Sequence, residues 1–274
     1  MIISALLVAC VAASGQQTPE QLRDRYNSQV RMVGADGVGV ETILDKWEAA
    51  APEDGDMLAG RFQYYLAKSA RSEVVPKKQA RFLGNKPVLT LKDTTGTDVN
   101  YFEETFFADS LLALAMKAID KAVKLYPEEL SYRFMKINAL LSVEKESPDL
   151  ALMEVENLIS AQASSSPAWT FNHEGIDEGT FKDAIQEYCY SFYRVGTPSA
   201  YEGFLTISER MSKLYPKTSA FLTNIGTYWL VARENDKKAQ SFYKKALKID
   251  PEDAAALRNM KVIQARAAKA KAKK

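Results

Sequence analysis

Apolar residues recur every three or four positions along most of this chain, the period of a helix with one buried face. Leu111, Leu112, Ala115, Ile119 and Ala122 form one such stripe; the helix they predict covers 104–125 and ends before Pro127. Leu58, Phe62, Tyr65 and Leu66 form another over 57–70, preceded by a shorter stripe of Val40, Ile43, Leu44 and Trp47. The first helix carries its own start signal: Thr18 can cap, Pro19 suits the first helical position, and Gln21 is placed to complete a capping box. Gly34, Gly37 and Gly39 break it after Met32. Further helices are predicted over 130–141, 148–160, 181–194, 199–214, 218–232, 236–249 and 252–268.

Two stretches depart from this rhythm. Within 71–103, Pro87-Val88-Leu89-Thr90-Leu91 and Val99-Asn100-Tyr101-Phe102 are rich in β-branched and aromatic residues, and a turn composition from Asp93 to Asp98 separates them. A small β-hairpin inserted into a helical array is the expectation. Residues 161–179 read as a loop, Ser-rich and carrying Trp169, Phe171 and His173.

Three helix ends echo one another: Lys124-Leu125-Tyr126-Pro127, Lys213-Leu214-Tyr215-Pro216 and Lys248-Ile249-Asp250-Pro251. The last two prolines are about 35 residues apart, the period of a helix–turn–helix repeat. In the last pair Leu222, Ile225, Gly226 and Trp229 precede Ala239, Tyr243, Ala246 and Pro251. This pattern resembles the tetratricopeptide repeat (TPR), although the turn from Arg233 to Lys238 is one residue long for it. Ala115, Ile119, Ala122 and Pro127 match its second half; Met211 and Pro216 match poorly. The resemblance implies an all-α, α-α superhelical solenoid of about four to five helix pairs. Gly226 and Ala239 are then the small residues where paired helices touch, while Tyr243 and Trp229 fill the groove between pairs. The implied layout has helical repeats over 18–70, the inserted hairpin over 71–103, repeats over 104–160 and 180–251 around the 161–179 loop, and a capping helix with a basic tail over 252–274.

Composition narrows the function. With 36 basic against 35 acidic residues, charge gives no reason to expect nucleic acid. The two cysteines make no disulfide framework. Cys189 reads as a small core residue. Residues 1–16 begin with an apolar run too short to span a bilayer, followed by Ala12-Ala13-Ser14-Gly15, so they read as a secretory signal, although no Lys or Arg precedes the run. Leu7-Val8-Ala9-Cys10 also resembles a lipoprotein signal, in which Cys10 would be acylated. Cleavage near Gly15 or Gln16, lipidation at Cys10 and a retained terminus all remain open. A signal implies export to the periplasm or cell envelope, with membrane contact only if Cys10 is acylated.

No catalytic residue, metal site or cofactor is predicted. His173 is the only histidine, too few nitrogen or sulfur ligands for a metal; the alternatives to a plain binding scaffold are an envelope assembly factor lipid-anchored through Cys10 and, after it, an enzyme built on the His173 loop. Gly34–Gly39 lacks the Lys-Ser/Thr of a phosphate loop, and Tyr65 stands where an EF-hand starting at Asp54 needs Glu. The TPR resemblance implies instead a scaffold for a protein or peptide, gripped on a concave face lined by the first helix of each pair. Aligned on that pattern, Tyr132, Met135, Gln186, Tyr190, Tyr193, Thr223, Thr227 and Arg258 would line it.

Overall fold

The computed structural model describes residues 17–272. The apolar 1–16 segment with Cys10, and the terminal Lys273 and Lys274, lie outside the described residues. Within them the chain builds eleven helices and five short strands. Helices α1 (Pro19–Val33) and α2 (Val40–Ala50) form one antiparallel pair; α3 (Gly55–Ser69) pairs with α4 (Asp109–Leu125), and α5 (Leu130–Glu144) with α6 (Asp149–Ser165). Helices α7 (Glu178–Val195) and α8 (Pro198–Leu214), then α9 (Ser219–Val231) and α10 (Asp236–Ile249), complete the array, and α11 (Ala254–Ala272) covers its end. Each pair packs on the next, so the core is a continuous stripe whose first part joins α1 to α5, whose second joins α5 to α9, and whose third is closed by α11. This is an α-α solenoid of stacked helix pairs, as the repeat resemblance implies.

Helix ends follow local chemistry. The Thr18–Gln21 capping box forms in both directions, and Gly34 and Gly39 take φ of +85° to turn the chain between α1 and α2. Asp54 caps α3 by accepting from the N–H of Asp56 and Met57, and it also accepts from the Trp47 indole.

Paired helices approach most closely where an aromatic ring lies on a glycine. A Cβ added to Gly226 on α9 would stand 2.6 Å from the Tyr243 ring of α10; one on Gly203 of α8 would stand 2.6 Å from Phe192 of α7. Between the first two pairs, a Cβ on Gly60 of α3 would stand 2.9 Å from Leu44 of α2 and 3.1 Å from the Tyr26 ring of α1. Gly226 is therefore the contact point expected, but the side chain resting on it is Tyr243, one turn beyond the fully buried Ala239. Tyr243 lies on its own pair partner and also packs with Ala256 and Ile263 of α11, and its hydroxyl reaches Thr227 at 3.2 Å.

The insertion is larger than a hairpin. Strands β1 (Ala70–Lys77), β2 (Leu89–Lys92) and β3 (Asp98–Phe107) form an antiparallel sheet in the order β1-β3-β2. The expected hairpin is the β2–β3 half, with Leu89 opposite Tyr101. The helix predicted from residue 104 starts instead at Asp109, because β3 runs on through Phe107 to pair with β1. Alternation along β3 puts Phe102 and Glu104 on the buried face and Glu103 on the solvent face. Beyond β1, the turn Phe82–Asn85 places Leu83 and Gly84 at positive φ, and Gly84 lies against the Arg194 carbonyl at the end of α7.

Gly226→Ala is expected to destabilise the protein. The clash with Tyr243 costs about 1–3 kcal/mol and outweighs a helix-propensity gain of under about 1 kcal/mol. Gly175→Ala, where nothing lies within 4 Å, should leave the urea midpoint unchanged. Equal midpoints for the two variants would show that the close approach is not needed.

Candidate functional site

The loop predicted over 161–179 resolves into the end of α6, a two-stranded hairpin and the start of α7. Strands β4 (Thr170–Phe171) and β5 (Glu174–Gly175) flank a two-residue turn. Both turn residues are left-handed, Asn172 at φ +52° and His173 at φ +67°, as a tight type I′ hairpin requires. Neither is glycine, but Asn and His are among the side chains that take this conformation most readily, and the turn has further support from outside.

That support is one buried carboxylate. Glu129, only 4% exposed, stands at the N-terminus of α5. Its Oε1 accepts from the Ser131 N–H (3.1 Å), the Ser131 hydroxyl (2.6 Å) and the Asn172 N–H (2.9 Å). Its Oε2 accepts from the Thr170 hydroxyl (2.8 Å) and the His173 N–H (2.9 Å). Burial by itself would raise this acid's pKa, but the bonds from Ser131, His173 and Thr170 prevail and hold it below the ordinary value. Trp169 anchors the other end of the hairpin. It stacks on Phe181 with centroids 5.9 Å apart and donates its indole N–H to Gln162 at 2.7 Å.

So fixed, the hairpin overhangs a groove of about 370 Å³ between α5 and α7. Its apolar floor is Phe134 and Met135 from α5 and Tyr188 from α7, with the rings of Phe134 and Tyr188 edge to face at 5.5 Å. Phe171 of the hairpin leans on Phe134 at 5.9 Å and is 41% exposed. The rim is polar: Ser131, Asn138, Asn172, Glu187 and Ser191. An apolar floor under a rim of hydrogen-bonding groups suits an extended segment that buries one or two side chains and satisfies its backbone at the edge.

The predicted concave-face residues divide into three groups. Met135 lines the groove, and Tyr190 (53% exposed) and Arg258 face solvent. Gln186 and Tyr193 serve packing: Gln186 exchanges two amide hydrogen bonds with Asn224 of α9, and Tyr193 lies on Tyr201 and Phe204 of α8. Tyr132 and Thr223 are buried, and Thr227 is half-buried and hydrogen-bonded within the array, so these three serve packing. Tyr132 is 2% exposed and donates to Asp56. Thr223 donates to Asp253, while Thr227 donates to the Thr223 carbonyl and accepts from Asn259 of α11. Small polar residues at such positions join one pair to the next. Phe134 and the hairpin, which build the groove, were not singled out by the repeat alignment; the loop's own Trp169 and Phe171 were the available signal.

The His173 ring Nε2 lies 2.9 Å from Asp56 Oδ1, and its Nδ1 lies 3.6 Å from Glu129. Both carboxylates are already occupied by protein donors, Tyr132 and the hairpin. Among the described residues no group of three or more His, Cys, Asp or Glu is placed to hold a metal, and no helix is long and apolar enough to cross a membrane. Cys189 is fully buried beside Ser208, and burial pushes its thiol up to about 12. It packs as a core residue and stays protonated at neutral pH.

No protein-family model and no curated protein matches the chain. Among solved structures it is similar to the crystal structure of MamA protein (13% identity, 86% of this chain and 92% of that one, TM-score 0.42). It is also similar to that of YrrB, described as a TPR protein with an unusual peptide-binding site (13% identity, 87% and 99%, TM-score 0.39).

Glu129→Gln places an amide donor among N–H donors and is expected to cost about 2 kcal/mol at neutral pH. Amide hydrogen exchange at Asn172 and His173 should quicken most. Because the folded pKa is depressed, the wild-type advantage is present above the ordinary value of 4.5 and shrinks as the pH falls below it. A difference between the two proteins that persists unchanged to pH 2 would refute the role given to the carboxylate.

Proposed function

We propose that this chain is a non-catalytic scaffold that binds a protein or peptide segment in the groove between α5 and α7. The observation that carries the reading is the groove itself, with an apolar floor, a polar rim and a roof whose turn is held by a dedicated buried acid. A hairpin serving only to connect α6 to α7 would not need three hydrogen bonds to one buried carboxylate. Phe171 and Phe134 supply the anchoring contacts, and Asn138, Asn172 and Glu187 supply direction and register. The setting we propose is the cell envelope, reached through the apolar 1–16 segment by cleavage or by acylation of Cys10.

Selection from a random peptide-display library tests the groove. Enriched peptides should share apolar residues at fixed spacing. Their affinity should fall at least about tenfold for Asn138→Trp, which fills the exposed rim without touching the core, and stay level for His173→Ala. Peptides indifferent to Asn138→Trp would place recognition elsewhere. The setting has its own test, the mass of the mature N-terminus: cleavage near Gly15 or a lipid-modified Cys10 is expected, and an intact Met1 on the mature protein would exclude export by cleavage.

A further inference from the structure

The near balance of charge over the whole chain hides a polarity along it. Residues 236–274 carry 12 basic and 4 acidic side chains, whereas residues 1–235 carry 24 and 31. The basic end is α10 together with the α11 that packs on it. On α10, Lys237, Ser241, Lys244 and Lys248 recur at intervals of four, three and four. That spacing makes one exposed row along the helix, about 16 Å from end to end, with Lys245 exposed beside it. On α11, Arg258, Lys261 and Lys269 are exposed, and the helix contains no acid.

Neighbouring acids do not neutralise the row. Asp236, the one acid of α10, is taken by Arg266 of α11 at 2.9 Å. Asp253 accepts from the Thr223 hydroxyl and the Ala256 N–H. Glu234 lies in the turn before α10, and Asp250 and Glu252 lie in the turn after it, beyond the ends of the row. Among the described residues Lys237, Lys244, Lys245 and Lys248 have no ion-pair partner, whereas Lys238 folds over the Trp229 ring at 3.2 Å. Nor does the row serve the helix. Lys237 stands in the first turn, where the macrodipole disfavours a cation. Lys244 and Lys248 are four positions apart, a spacing at which like charges repel.

We propose that the α10–α11 end docks on the surface of a bilayer rich in anionic lipid, with the lysine row against the headgroup phosphates. A cluster of about four to eight basic residues on a helix surface suits such a partner. Exposed Ile249, Leu257 and Val262 stand among the cations and can settle at the headgroup boundary. Nucleic acid shares the phosphate chemistry but fits less well. The row runs along the open side of one helix, and the aromatics of this end, half-buried Phe242 and buried Tyr243, offer no face for a base. The acidic remainder of the chain is repelled by the same surface, which confines contact to this end. The surface is separate from the α5–α7 groove, and attachment through it needs no acylation of Cys10.

Flotation of the full chain with vesicles of phosphatidylcholine and phosphatidylglycerol in equal parts tests the proposal. Binding should be at least about tenfold tighter than to phosphatidylcholine alone, and lost at about 1 M salt, where the Debye length shrinks to about 3 Å. Lys237→Glu, Lys244→Glu and Lys248→Glu combined should weaken it at least about tenfold without lowering the melting temperature. The same change at exposed Lys46, Lys117 and Lys124, which alters net charge equally, should weaken it far less. Cys10→Ser and Asn138→Trp should bind as the wild type does, which separates this result from acylation and from the groove reading. Equal binding to neutral vesicles, equal loss in the two triple variants, or loss in Cys10→Ser would overturn the proposal. So would tighter binding to a short DNA duplex than to the anionic vesicles.

Discussion

The distance between paired helices sets everything downstream in this molecule, and it is set by aromatic rings lying on glycines. At Gly226 under Tyr243 and Gly203 under Phe192, a missing side chain lets a large ring lie flush on the neighbouring backbone. A ring buried this way contributes apolar area at low cost in conformational freedom. It also fixes the rotation of one helix against the next, and so decides which side chains point inward and which reach a groove. The inward-turned Tyr132 and Thr223 follow from that rotation.

On this spacing the site is assembled by a second, electrostatic device. The N-terminus of α5 provides the position, and the Glu129 carboxylate provides acceptors for the backbone N–H groups of a hairpin turn. Stability thus flows from the array into the overhang. The arrangement gives the groove a firm edge from a segment only a few residues long, without the broad packing that short hairpins usually require.

What could be read from the residues, and what could not, divides along physical lines. Helices with an apolar stripe and punctuating prolines were legible almost to their ends: α10 was expected over 236–249 and spans Asp236–Ile249. Strand β1 was not legible. Its Arg-Ser-Glu-Val-Val-Pro run has no clean alternation, because β1 lies at an edge and both of its faces are largely exposed. The end of β3 misled for a different reason: Glu104-Thr105-Phe106-Phe107 precedes a strong helical stripe, and only pairing with residues over thirty positions away makes it a strand. The groove was half legible. Met135 could be placed from the repeat pattern, whereas the bond between Glu129 and a turn over forty residues later could not, since no local rule connects them.

The sheet insertion alters how the array deforms. In a plain stack of helix pairs each unit touches only its neighbours, so bending spreads evenly along the rod. Here the turn at Phe82–Asn85 leaves the second pair, passes the end of α5 and abuts the end of α7 in the fourth. It acts as a tie-bar across three units. The stretch it spans resists uncoiling as a single block, and elastic compliance is left to the first pair at one end and to the last pair and α11 at the other.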